Sequence, residues 1–158
     1  MNKPEELRAL LLAAVPHLAR NPSNLQIFIE QGKIVATGAG QNLSFEYQCD
    51  VIILATDYAE HADTLIVPLM AWVAKHQPEL LTNPDKRQNG VKFRAELISK
   101  KKSDIEITIP ITERVLVTPV EGGRTVKHLP EPLFDPYSGF EWKLFIDGEQ
   151  VPTPEGSL

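Results

Sequence analysis

The side chains that could do covalent or metal chemistry are few and scattered in this sequence. Its four histidines, His17, His61, His76 and His128, lie far apart, and Cys49 is the single cysteine. Asp57, Glu60, His61 and Asp63 make the one local cluster of ligand-type groups. A metal site of this kind needs further histidines or cysteines at fixed geometry. A helix cap at Asp63 therefore accounts for the cluster better than a metal does, and a hydrolase or transferase using Asp57, Glu60 and His61 is the enzymatic alternative. Gly38-Ala39-Gly40 opens like a dinucleotide-binding loop. Such a loop needs a third glycine and a helix N-terminus to hold phosphate, whereas position 43 is Leu43 and the residues after it alternate as a strand. Cys49 sits mid-strand among apolar residues, away from the electropositive, part-exposed setting that activates a thiol. No serine stands in a Gly-x-Ser-x-Gly elbow. Asn42-Leu43-Ser44 matters as a glycosylation acceptor only in a secreted chain. No enzyme, cofactor or metal is expected.

Composition narrows the class. At 158 residues, 42% hydrophobic and 23% charged, the chain reads as one ordinary globular domain with, at most, an appendage. No apolar run approaches the ~20 residues that span a bilayer, and the opening carries Glu5-Glu6 where a signal peptide would be basic. A cytosolic protein without membrane contact is expected, and one cysteine rules out an internal disulfide. Charge divides at Thr118: residues 1–118 hold 13 Lys+Arg against 14 Asp+Glu, a net of -1, while 119–158 hold 3 against 7, a net of -4. Six of the 13 prolines and five of the nine glycines also fall after Thr118. The expected organisation is a core domain over 1–118 followed by an acidic, Pro/Gly-rich arm over 119–158. Neither part has the clustered cations that nucleic-acid binding requires. Lys100-Lys101-Lys102 reads as a solvated hairpin tip.

Periodicity supplies the elements. Pro4 opens a helix whose apolar face is Leu7, Leu10, Leu11, Ala14 and Leu18, capped by Asn2 or Lys3, with Pro16 ending or kinking it near Val15. Leu25, Ile27 and Ile29 alternate as a strand, and Gln31-Gly32 is expected to turn the chain into a second short strand at 33–37. A long strand starts at Phe45 and enters the sheet centre near Ile52. A second helix spans Asp63 to His76, buries Leu65, Leu69, Trp72, Val73 and His76, and meets an awkward Pro68, which predicts a kink or a late start. After a Thr82-Asn83-Pro84-Asp85 loop, Val91, Phe93, Ala95 and Leu97 alternate, then Ile105, Ile107, Ile109 and Ile111 through to Val117. Pro110 cannot donate to a ladder, so this isoleucine strand is expected at an edge or bulged there. The order predicts an α+β fold: a mostly antiparallel four- to five-stranded sheet with two helices packed on it. The arm ends in a short hairpin over 141–151, turning at Asp147-Gly148.

Met1-Asn2-Lys3-Pro4-Glu5-Glu6-Leu7-Arg8-Ala9-Leu10, Val15-Pro16-His17-Leu18, Phe45-Glu46-Tyr47, Gln77-Pro78-Glu79-Leu80-Leu81, Asn83-Pro84-Asp85-Lys86-Arg87 and Thr112-Glu113-Arg114-Val115-Leu116 follow one another over residues 1–130. In this order the chain resembles the phage tail completion protein R family (GpR) of temperate contractile-tailed phages. The resemblance implies a tail-terminator-like fold and a virion structural protein, made in the host cytoplasm. It would be added to the head-proximal end of the tail and be needed for stable head–tail joining. It implies partners in the tail tube and the head-side neck. Analogy with other terminators adds a ring of identical subunits, six by expectation. A small cytosolic adaptor that forms no ring is the alternative. A closed ring needs two different edges that meet. The candidate interface residues are Ile109, Pro110 and Ile111 on the isoleucine strand, and Leu133, Phe134, Phe140, Trp142 and Phe145, which make the arm too apolar for a free tail.

Overall fold

A computed structural model describes residues 1–40, 42–99, 102–131, 145–146 and 149–150. Helix α1 (Lys3–Ala14) has Pro4 in its first turn and ends where Val15 turns extended ahead of Pro16, which opens α2 (Pro16–Arg20). Pro16 lacks the N–H to continue α1 and fits the first position of the next helix. Helix α3 (Asp63–His76) has the predicted limits. It runs through Pro68 without a late start, and it buries Leu65, Pro68, Leu69, Trp72 and Val73. No side chain of Asp63 or Thr64 caps it; the Asp63 amide donates instead to His61 Nδ1 at 3.2 Å. The expected loop after Thr82 is helical in two short pieces, α4 (Glu79–Thr82) and α5 (Pro84–Arg87). Asn83 caps the second by accepting from the Asp85 amide at 2.9 Å, with Pro84 just behind it.

Five strands form one antiparallel sheet: β1 (Leu25–Ala36), β2 (Phe45–Tyr58), β3 (Lys92–Ser99), β4 (Lys102–Val120) and β5 (Gly123–His128). Their order is β1-β2-β4-β3, with β5 also paired to β4. Two sequence expectations change here. The residues around Gln31-Gly32 make no hairpin: both halves of β1 pair with β2, and the register shifts between Glu30 and Lys33, where Gln31 takes a positive φ of 50°. This is a bulge, which absorbs extra residues without reversing the strand. The division expected at Thr118 falls inside β4, and the chain turns back at Gly122 (φ 76°) to lay β5 along β4. The two-residue strands β6 (Phe145–Ile146) and β7 (Glu149–Gln150) pair separately, within the span expected for a hairpin.

The isoleucine strand is central, which corrects the expected edge. β4 pairs with β2 from Ser103 to Val115 on one side; on the other it pairs with β3 up to Thr108 and with β5 from Val115 onward. Pro110 lies in the gap between those two partners. Thr112, two residues on, points its amide into the same gap, where Gln77 Oε1 accepts it at 3.0 Å. By the alternation of an antiparallel ladder, the N–H that Pro110 lacks would have pointed there too. Pro110 therefore sits in a central strand at a stretch where no neighbouring strand needs its donor.

Cross-strand partners share a face, so the registers assign the core. Ile105, Ile107, Ile109 and Ile111 of β4, with Val51, Ile53 and Ala55 of β2, lie under Leu7 and Leu11 of α1, Leu18 of α2 and Leu65, Leu69, Trp72 and Val73 of α3. The helices cover β2, β4 and one end of β1. Over β3 they do not reach: every residue from Lys92 to Ser99 is exposed.

Candidate assembly surface

Two features dominate: a buried polar network that ties the chain's start to β4, and a pair of apolar sheet edges. The network centres on Lys3 and Glu113. Helix α1 begins with free amides that Asn2 does not cap with its own side chain. Glu113, from the middle of β4 and 2% exposed, supplies the acceptor: Asn2 N donates to both of its oxygens at 2.9 and 3.0 Å, and Lys3 N donates to Oε2 at 3.0 Å. A carboxylate at the positive end of a helix dipole is stabilised there. His128 of β5 bonds the same carboxylate through Nδ1. Burial alone would raise the Glu113 pKa, but the two amides and His128 outweigh it and hold the carboxyl below its ordinary value.

The Lys3 ammonium is equally enclosed. It donates to Glu131 Oε1 at 2.6 Å, to the carbonyls of His76 (2.6 Å) and Thr112 (2.7 Å), and to Gln77 Oε1 at 2.8 Å. Gln77 also fills the Pro110 gap, so one amide oxygen serves both the cation and the sheet. Next to it, His76 stacks on Trp72 with centroids 4.6 Å apart. Burial lowers its pKa to about 4, and the nearby Lys3 and Lys75 charges push the same way. The ring is therefore neutral at neutral pH, and its 3.8 Å contact with Glu6 is no ion pair there. This set of residues joins α1, α3, β4 and β5 and contains no free nucleophile.

The apolar edges are two of the outer strands, β1 and β3, which the described residues leave uncovered. On β3, Phe93 and Leu97 are 70% and 83% exposed, and Ile98 is exposed beside them. On β1, Phe28, Ile29, Ile34 and Val35 are exposed. Exposed apolar edge strands are a recognised route to pairing with another chain, and proteins that avoid it blunt the edge with proline or charge. β3 contains no proline; Lys92, Arg94 and Glu96 put charge on its other face, and it ends in Leu97-Ile98-Ser99.

Ile109 and Ile111 are fully buried beneath the helices, and Pro110 lies in the gap described above. Among the described residues β1, β3 and β5 each pair on one side only, and none of the three was marked in the sequence as an interface. The signal available was Phe93 and Leu97 opposite a basic and acidic face. Leu133, Phe134, Phe140 and Trp142 lie outside the described residues, and Phe145 is described only as the start of β6. The Asp57, Glu60, His61, Asp63 cluster is dispersed among separate surface contacts. Asp57 pairs with Lys102 at 3.0 Å, Glu60 with Arg20 at 3.1 Å, and His61 with the start of α3. Among the described residues no group of three or more His, Cys, Asp or Glu could hold a metal. Cys49 is buried; burial first, then the Asp50 and Glu113 charges, pushes its thiol pKa up, so it is an inert core side chain.

Comparison with known proteins bears directly on this arrangement. A family model described as P2 phage tail completion protein R (GpR) matches residues 1–132, which take in α1 through β5 and the whole polar network. Tail completion protein R of Escherichia phage P2 is 37% identical over 156 residues, covering 96% of this chain and 97% of that protein. No solved structure matches. Matched by that family model over 132 of its 158 residues and by that relative along nearly its whole length, the chain belongs to the P2 phage tail completion protein R family.

Proposed function

We propose that this protein is a structural component of a phage tail that caps the head-proximal end of the finished tail and is required for its stable joining to the DNA-filled head. The observation that carries the reading is a sheet with two uncovered apolar edges, β1 and β3, on a chain whose relative is named for tail completion. Two different edges on one subunit are what a head-to-tail ring requires, since each subunit offers one edge and receives the other. A ring of copies, six by analogy with other terminators, would sit on the tail tube and face the neck. The body, near zero in net charge, suits a passage that DNA must cross without being held. No step of bond-making chemistry belongs to this role.

Residues beyond Glu131 are proposed to reach a neighbouring copy or the head-side partner. A stop after Thr118 would cut β4 and remove β5 with its Glu113 contact, so the informative truncation is one after Glu131.

Electron microscopy of particles made without this protein tests the function. Filled heads without tails, beside free tails of wrong or unstable length, are expected. Normal joined particles in normal yield would overturn it.

A further inference from the structure

The backbone of each outer strand says which of its residues can bond a partner. Val117 N donates to Ser44 Oγ, next to the start of β2, at 3.0 Å, while Arg114 O accepts from Leu129 N, just past β5, at 3.0 Å. Odd residues of β4 therefore turn their backbone groups toward β2, and even residues toward β3 and β5. Through the registers Glu106↔Arg94 and Thr108↔Lys92, the residues Lys92, Arg94 and Glu96 bond to β4, which leaves Phe93, Ala95 and Leu97 facing outward. The same count through Ile52↔Phe28 and Asp50↔Glu30 leaves Leu25, Ile27 and Ile29 facing outward on β1. Arg8 Nη1, 2.6 Å from Leu25 O, agrees: that oxygen is free of β2.

Side-chain faces follow the same parity. Ile27, Ile29, Phe93 and Leu97 lie on the helix side of the sheet, and Phe28, Glu30, Lys92, Arg94 and Glu96 on the other. Three antiparallel steps separate β1 from β3, so the two edges run in opposite directions. Rotation about an axis close to the strand direction keeps that polarity.

We propose that β1 of one copy pairs antiparallel with β3 of the next, Ile27 opposite Ala95 and Ile29 opposite Phe93, so that one sheet continues from subunit to subunit. This rests on the head-to-tail ring reading and specifies its contact. In this register Glu30 meets Lys92, the Phe28 ring meets the Arg94 guanidinium, Gln26 meets Glu96, and the helix-side partners are apolar throughout. Opposite charges and cation–aromatic contacts across a ladder favour a register. A slip by two residues one way sets Glu96 against Phe28; a slip the other way sets Glu30 against Gly90. Each keeps one favourable pair, Glu30 opposite Arg94 in the first and Phe28 opposite Lys92 in the second, and the proposed register keeps both kinds of contact.

Disulfide trapping in assembled particles tests the register. Phe28 and Arg94 would form a non-hydrogen-bonded pair, with Cα atoms about 4.5 Å apart, inside the range a disulfide needs. Both positions are exposed, so cysteines there leave the fold intact, and Cys49 is buried. Phe28→Cys with Arg94→Cys is expected to give cross-linked dimers and longer ladders on mild oxidation. The slipped control, Phe28→Cys with Glu96→Cys, should give about tenfold less, its cysteines being about 7–8 Å apart. Glu30→Lys should reduce joined particles, and adding Lys92→Glu should restore them. If the protein is present in joined particles but the first pair gives no dimer, the pairing is wrong and the ring stands. Absence of the protein from purified particles overturns the ring reading and the pairing together.

Discussion

Ile107 and Phe93 face each other across one rung of the same sheet, yet one is 1% exposed and the other 70%. Their strands alternate in the same way, and both present large apolar groups on the helix side. The difference lies above them: α1 and α3 cover β4 and stop short of β3. Alternation therefore marks which face a residue is on, but it does not say whether anything covers that face. In β4 the apolar face makes a core. In β3 an equally apolar face is left bare within the subunit, and under the proposed pairing that contrast separates residues that hold the subunit from residues that would join subunits.

Substitutions can break or sharpen the contrast. Ile107→Ala should cost about 2–5 kcal/mol of stability, the usual range for truncating a fully buried aliphatic side chain, read as a lowered unfolding midpoint in denaturant. Next comes Glu113→Gln, which keeps the shape but loses the charge that two helix amides and His128 share. It should cost about 2 kcal/mol, within the range for hydrogen bonds to a buried charged acceptor, and hydrogen exchange at Asn2, Lys3 and the first turn of α1 should quicken.

Acidification should weaken the fold through the same network. His76 is neutral in the fold down to about pH 4, while the unfolded chain binds its proton near 6.5. Between those values the unfolded state holds more protons, so stability falls as pH falls. Glu113 acts with the same sign: its folded pKa is lowered, so its contribution is full above the unfolded carboxyl value and is lost as pH drops through the folded one. Stability should decline from pH 7 to 4, by at most about 1.4 kcal/mol per pH unit for each group, read as a falling thermal midpoint. His76→Phe, which retains the stack on Trp72, should flatten the part between pH 6.5 and 4.

The smallest effect on stability is expected at β3. Phe93→Ser should change stability by no more than about 0.5 kcal/mol, as for a surface position, read from the unfolding midpoint in denaturant. It should still impair joined-particle yield. Stability loss at Phe93 comparable to Ile107 would mean that β3 is covered within the subunit.

Much of the fold was legible. α3 has the limits that its apolar spacing predicts, Pro16 ends α1 at Ala14, and the helix–strand order gives an antiparallel α+β sheet. The departures have physical causes. Gln31-Gly32 reads as a turn because a two-residue break in alternation looks the same whether the chain reverses or bulges; pairing of both halves with β2 decides it. β5 was hidden because Gly122-Gly123 and nearby prolines resemble a linker, although Thr125-Val126 after that turn is a faint strand signal. Pro110 argues for an edge, and the rule holds only locally, at the gap that Gln77 fills.

The candidate surface was less legible. Glu113 carries no local mark: it occupies an apolar phase of β4, and only the fold brings it to the amides of Asn2 and Lys3, 110 or more residues away in the chain. Residue types and their spacing determined the two main helices, the core strands with their inward faces, and the family, because these depend on local periodicity and on ordered matches along the chain. Only the tertiary structure decided which strands are outermost, which apolar faces the helices leave bare, and where a buried carboxylate finds its donors. Each of these depends on what lies across space, and sequence distance carries no record of it.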